Sequence, residues 1–200
     1  MEERKGKMKK ELLFAKLRKQ TTATYDMPNM AINAIQYEDT YKKFVEMSIA
    51  AGCRIQPITP KDNLCEVVKK LYPEAKVFAS HLPTFAPIVE KNPDMIASAQ
   101  ELNGTDVGIV EGKVGVAENA CIWIPQTMKE KAVCFISEYL VILLSKKAIV
   151  NNMHEAYRKI EMSHYGFGTF ISGASKTADI EQALVMGAQA ARGVTILISE

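Results

Sequence analysis

The sequence predicts an α/β protein built around a largely parallel sheet. Two observations carry that expectation. Short apolar runs of strand length alternate with amphipathic stretches of helix length over most of the chain. In addition, "YLVILL" at 139–144 is apolar at every position, as a strand covered on both faces must be. The 200 residues are 48% hydrophobic, enough for one domain with a sizeable core and an added N-terminal piece.

In chain order, residues 2–19 read as a helix with Met8, Leu12 and Ala15 on one face. Residues 21–35 mix Thr, Pro and Asn and read as a connector, so the expected division is 1–35 (helix and connector) and 36–200 (α/β domain). Tyr37, Tyr41, Phe44, Val45 and Ser48 then share a helical face, and Gly52 ends that helix. A strand is expected at 54–58, weakened by Pro57, and a helix at 61–72 behind Pro60. Further strands are expected at 76–80 and 95–98, and Gly-punctuated β segments over 107–125. A helix over 148–161 uses Ile149, Met153, Tyr157 and Ile160. The chain closes with a strand at 169–172, a helix at 177–187 and a strand at 194–198.

Composition excludes several classes. A formal net charge of +2 gives no global field for nucleic acid or an anionic membrane. The run Arg4, Lys5, Lys7, Lys9, Lys10, Lys16, Arg18 and Lys19 reads as a solvated helix face or a docking arm for an acidic partner. No secretory segment is visible, and no apolar run is long enough to cross a bilayer, which predicts a soluble cytoplasmic protein. Cys53, Cys65, Cys121 and Cys134 form no CxxC pair, so no zinc or iron–sulfur framework is expected within the chain. His81, His154 and His164 have no metal-ligand spacing; of these His81, at a candidate strand end, is the most interesting. Trp123 reads as packing.

The polar loop between the last two expected strands attracts most attention. Gly173 lets the backbone bend, Ser175 and Thr177 offer hydroxyls, and Lys176 offers a full charge. At a helix N-terminus these groups would hold a carboxylate or phosphate. The plainer reading makes Thr177 an N-cap, with Asp179 and Glu181 answering the helix dipole. In parallel sheets ligands favour the carboxyl ends of strands, and the loop is expected there. Glu118, after the small residues "GKVGVA" at 112–117, is a candidate base or nucleophile or a plain turn acid. Arg192 is a candidate carboxylate or phosphate fork or a surface cation.

The stretch "ISGASKTADIEQALVMGAQAARGVTILI" at 171–198 resembles the C-terminal signature of LUD-domain proteins of the LutC/YkgG type, most specifically at Gly173, Ser175 to Glu181 and Arg192. "DVGIVEGKVGVAENACIWI" resembles the second signature of that family, and the resemblance covers roughly residues 36–200. It implies a Rossmann-like three-layer sandwich of the NagB/RpiA/CoA-transferase-like group. It also implies a part in oxidising L-lactate to pyruvate beside iron–sulfur partner proteins. Two departures stand out: Asn119-Ala120 replaces the usual Thr-Gly, and Ala174 and Ala190-Ala191 replace proline-containing positions. Alanine at 120 withdraws the residue that adopts positive φ most readily.

Three readings are open. In the first, the chain is a LutC-like subunit acting on lactate or a related small 2-hydroxy acid. In the second, it is a stand-alone enzyme on a phosphorylated or CoA-linked small molecule, with Ser175, Lys176 and Thr177 holding the anion and Glu118 nearest the chemistry. In the third, it is a non-catalytic assembly subunit that docks through its basic helix. The sequence names no cofactor and leaves homo-oligomerisation, including exchange of the N-terminal helix, open.

Overall fold

A computed structural model describes residues 2–20, 26, 32–161, 165–178 and 184–200. The chain divides into two compact units, Met1–Asn33 and Ala34–Glu200. In the first, α1 (Glu2–Gln20) is the expected helix. Its Leu12, Leu13, Phe14 and Leu17 are exposed. Lys10 sits over the Phe14 ring, 5.8 Å from its centroid.

The second unit opens with α2 (Thr40–Ala50), which starts where the Asp39 carboxylate accepts the Lys42 N–H at 2.8 Å. It ends at Gly52, whose φ of +86° suits a helix terminus. β1 (Cys53–Ile58) comes next, then α3 (Leu64–Leu71), capped by the Asn63 side chain. β2 is only Phe78–Ala79. Single 3₁₀ turns lie at Pro83–Ile88 and Ala99–Leu102. The central part of the chain holds β3 (Val107–Glu111), β4 (Val114–Val116), β5 (Ile122–Pro125), the short α4 (Val133–Ile136) and β6 (Tyr139–Ser145). After it come β7 (Ile149–Val150), α5 (Met153–Lys159), β8 (Gly168–Ile171), β9 (Lys176–Ala178), β10 (Leu184–Met186) and β11 (Gly193–Ser199).

The main sheet has the order β1-β11-β6-β3-β2, and every pairing in it is parallel. β6 lies in the middle, which explains its unbroken apolar run. Leu140, Ile142 and Leu144 pack to one side with Phe44, Val110, Ile196 and Ile198, while Val141 packs to the other with Val68, Phe85, Ile109 and Leu197. Full burial of each such side chain contributes about 1.5–3 kcal/mol. Pro57 is accommodated because β1 is an edge strand. A second sheet, β7-β4-β5-β8, contributes Ile122 and Ile124 to the core on the α2 side. Its own Val114, Val116, Trp123 and Val150 pack with Ala156 of α5. The result is a mixed α/β, Rossmann-like layered fold with a parallel central sheet, as the sequence predicts.

Three expected elements differ. Residues 95–98 form no strand; Ser98 and Glu101 make a capping box that starts a 3₁₀ turn instead. The helix expected at 148–161 begins only at Met153, because Ile149 and Val150 pair with Gly115 and Val116 and the Asn152 side chain caps α5. Most consequentially, the helix expected at 177–187 is replaced: Lys176–Ala178 and Leu184–Met186 pair antiparallel as a hairpin. The apolar spacing of 183–191 suggests a helix, but cross-strand pairing outweighs it.

Candidate functional site

The polar loop is built from both sheets. β8 pairs antiparallel with β5, bringing Phe170 against Trp123 with ring centroids 4.9 Å apart. Trp123 donates its indole N–H to the Tyr165 hydroxyl at 3.2 Å, so it serves packing, as expected. Past β8, the Ser172 hydroxyl donates to the Asn119 carbonyl at 2.7 Å, fastening this loop to the turn that carries Glu118. Gly173 then turns with φ +69°, so tightly that a Cβ there would run into the Ala51 carbonyl oxygen. Its N–H points at the Cys53 sulfur. Burial pushes the Cys53 thiol up to about 11, against the opposing influence of that N–H and the Lys176 charge. Ser175 donates its N–H to Ala191 O at 2.8 Å and accepts the Gly187 N–H at 3.0 Å. Lys176 is exposed, and its ammonium lies beside Gly52.

The loop therefore faces the start of β1 and the approach to β11, at the amino ends of the parallel strands and not at the expected carboxyl ends. With no helix opening at 177, the dipole argument for an anion lapses. The N–H groups of Gly173 and Ser175 are already committed within the protein. What remains is a chamber of about 360 Å³ whose lining includes Phe135, Phe170, Ser172, Ser175, Lys176 and Gln189.

The other expected site residues are placed as follows. Glu118 comes after β4, donates its N–H to Asn151 O at 3.0 Å and accepts the Met153 N–H through Oε2 at 3.1 Å, at the start of α5. Burial keeps the Cys121 thiol above its ordinary pKa against a hydrogen bond with Ser172, and the Glu118 charge adds slightly to the rise. Arg192 pairs with Glu138 at 2.8 Å and stacks over the Tyr139 ring, 5.2 Å from its centroid. Thr177 lies in β9, opposite Val185. Asp179 and Glu181 lie outside the described residues, as does His164. Among the described residues no ion pair joins Lys176 to Glu118, although Ser172 brings their two segments together. Ala120 keeps a left-handed backbone, φ +57°, despite its methyl group.

Sequence reasoning missed Ser172 and Cys53 as parts of this loop's fastening and Glu138 as the partner of Arg192. The adjacency of Ser172 to Gly173 was the one visible signal; the other two are remote in sequence. Among the described residues no group of three His, Cys, Asp or Glu is placed to hold a metal ion, and no helix is long and apolar enough to cross a membrane.

Layer order and strand order define a Rossmann-like α/β domain whose C-terminal loop is locked to its own sheet. The LUD domain model matches residues 41–199, and the chain belongs to that family. Over 103 residues it is 31% identical to "Lactate utilization protein C" of Shouchella clausii, a match that covers 48% of this chain and 44% of that protein. The alignment thus spans less than half of the relative's length. In three dimensions it resembles a DUF162 family protein from Deinococcus radiodurans, with a TM-score of 0.64, 12% identity, and coverage of 84% of this chain and 100% of that one.

Proposed function

We propose that this chain is a LutC-like subunit in the oxidation of L-lactate, or a related small 2-hydroxy acid, to pyruvate, acting with iron–sulfur partner proteins. The observation that carries the proposal is the family match over 41–199 together with the lactate-utilisation relative. Among the described residues no three His, Cys, Asp or Glu side chains are grouped to hold a metal ion. In this reading the two electrons and two protons released when a 2-hydroxy acid becomes a 2-oxo acid leave through partner proteins.

The test is complementation in a bacterium whose own LUD-domain gene of this type has been deleted. Growth on L-lactate should return with this chain, while growth on pyruvate is unaffected throughout. Failure to restore growth, with the protein expressed and folded, would remove the proposal.

One observation favours a second reading, a stand-alone enzyme on a phosphorylated or CoA-linked small molecule. Lys176 is an exposed cation at the 360 Å³ chamber, beside Ser175. In that reading Ser175, Lys176 and Thr177 hold the anion, with Glu118 nearest the chemistry. Thermal stabilisation by a sugar phosphate or CoA, lost in Lys176→Ala, would establish it.

A further inference from the structure

Charge is unevenly distributed along the chain. Residues 2–20 hold eight Lys and Arg against three Glu, a net +5, whereas the rest of the chain holds 17 basic against 20 acidic residues, a net −3. On α1, Leu13, Phe14 and Leu17 fall within about 100° of arc, and the Lys10 ammonium lies over the Phe14 ring. Leu13 and Phe14 are 56% and 45% exposed. A stripe of leucine, phenylalanine and lysine suits a surface that is both apolar and acidic. Like charge disfavours the pairing of two such helices with each other.

A surface of the required kind lies at the carboxyl end of the main sheet. There β2 runs into Ser80 and His81. Buried Ser80 donates its hydroxyl to Ile109 O at 2.8 Å and accepts the Leu82 N–H at 3.1 Å. His81 shares a hydrogen bond with the Thr127 hydroxyl at 3.1 Å through Nε2, and its Nδ1 is buried. This inner end is closed. Beyond it an open chamber of about 730 Å³ has Leu82, Val89, Met95 and Ile96 in its lining. Met95 is 85% exposed, the most of any large hydrophobic residue among those described. Near it stand three exposed acids, each of which answers backbone amides through one oxygen. Glu90 accepts Phe78 N–H at 2.7 Å, Asp94 accepts Lys129 N–H at 2.8 Å, and Glu101 accepts Ala97 N–H at 2.9 Å. The lysines nearby, Lys91 and Lys129, hold their ammonium groups at Asn103 O and Ile96 O, at 2.6 and 2.9 Å. The rim is therefore apolar at Met95 and Ile96, and its carboxylates outnumber its cations.

We propose that α1 of one copy docks on this rim of a second copy, with Leu13 and Phe14 against Met95 and Ile96 and the α1 lysines facing Glu90, Asp94 and Glu101. Reciprocal exchange closes a twofold dimer. Residues 21–35 supply up to about 50 Å of extended chain, enough to reach a neighbour. The docking does not depend on the lactate reading above.

The experiment uses the full chain, with association read by light scattering and analytical sedimentation. Wild type should dimerise at low salt, and its dissociation constant should rise at least about tenfold between about 0.05 and 0.5 M NaCl. Phe14→Asp and Met95→Arg each change one exposed side chain, and each should weaken the dimer at least about tenfold. Circular dichroism and the melting temperature check that both variants fold. Mixed one to one, the variants keep one intact contact, the helix of the Met95→Arg chain on the rim of the Phe14→Asp chain. The mixture should therefore form a heterodimer although neither variant dimerises alone. A wild-type chain that is monomeric at every concentration, a dimer indifferent to both substitutions, or a mixture no more associated than its components overturns the docking. So does a monomer that sediments with vesicles of equal phosphatidylglycerol and phosphatidylcholine and loses that binding in Phe14→Asp, which would assign α1 to a lipid surface.

Discussion

The two ends of the parallel sheet use polar groups in opposite ways. At the amino end, Ser172, Gly173 and Ser175 satisfy one another's neighbours: Asn119 O, the Cys53 sulfur and Ala191 O take up their donors. At the carboxyl end, His81 keeps a buried nitrogen with no partner among the described residues, beside a chamber twice as large. The amino end holds the conspicuous sequence signature, and the carboxyl end holds a single histidine. The comparison teaches that a dense run of polar residues can be the fastening of a fold.

The sharpest way to break this comparison is Gly173→Ala. The new methyl meets the Ala51 carbonyl at a backbone angle alanine disfavours, so a loss of about 3 kcal/mol or more is expected in denaturant melts. A loss below about 1 kcal/mol would show that the amino-end loop is not locked. Also at the amino end, the entry to β2 is held by Asp106, whose carboxylate accepts Lys76 N–H at 2.7 Å and Val77 N–H at 2.8 Å. Those two bonds, the first the stronger influence, hold its pKa below the ordinary carboxylate value against slight burial, with help from the Lys76 and Lys91 charges. Its stabilisation is therefore complete above the unfolded-state value and fades as pH falls through the lower folded-state value. Asp106→Ala should cost about 1 kcal/mol at neutral pH, discounted for exposure, and should cost nothing once wild type is protonated there. A loss that stays constant down to acid pH would contradict that assignment.

Ser172→Ala removes the tie between the loop and the Glu118 turn. An exposed neutral hydrogen bond predicts a loss of about 0.5–1 kcal/mol, measurable as a shift in the urea midpoint. The smallest effect is expected at Ala120. Glycine would relieve about 1–2 kcal/mol of left-handed strain. It would also forfeit about 0.8 kcal/mol of methyl burial and loosen the unfolded chain by a similar amount. Ala120→Gly should thus change stability by less than about 0.5 kcal/mol; a large gain would mark the turn as strained.

Much of this architecture is legible in the sequence, and the failures have physical causes. β6 is readable because burial on both faces leaves an uninterrupted apolar string, and α2 because its apolar face keeps a 3.6-residue period. The β9–β10 hairpin is not readable: each arm has three residues, and "ALVMGAQAA" carries helix-forming composition into a place where strand pairing prevails. The 3₁₀ turn after Ser98 carries its own signal, Ser98 with Glu101 three residues on, which the apolar "MIAS" obscures. At the loop, residue types are visible but their partners are not. Ala51, Cys53 and Asn119 reach Ser172 and Gly173 only through sheet closure. His81 can be placed at a strand end from the sequence, whereas Thr127 beside it cannot.

The position of β11 between β1 and β6 has a kinetic consequence. Among the described residues, Cys53 through Ile58 finds its one neighbour in the main sheet at Val194 and beyond, so an early segment remains an unpaired ribbon until a very late one arrives. Such distant closure slows maturation and leaves an adhesive strand exposed meanwhile. Pro57 lies within that waiting ribbon, where a residue without an amide hydrogen discourages unwanted neighbours from annealing before the proper one is made.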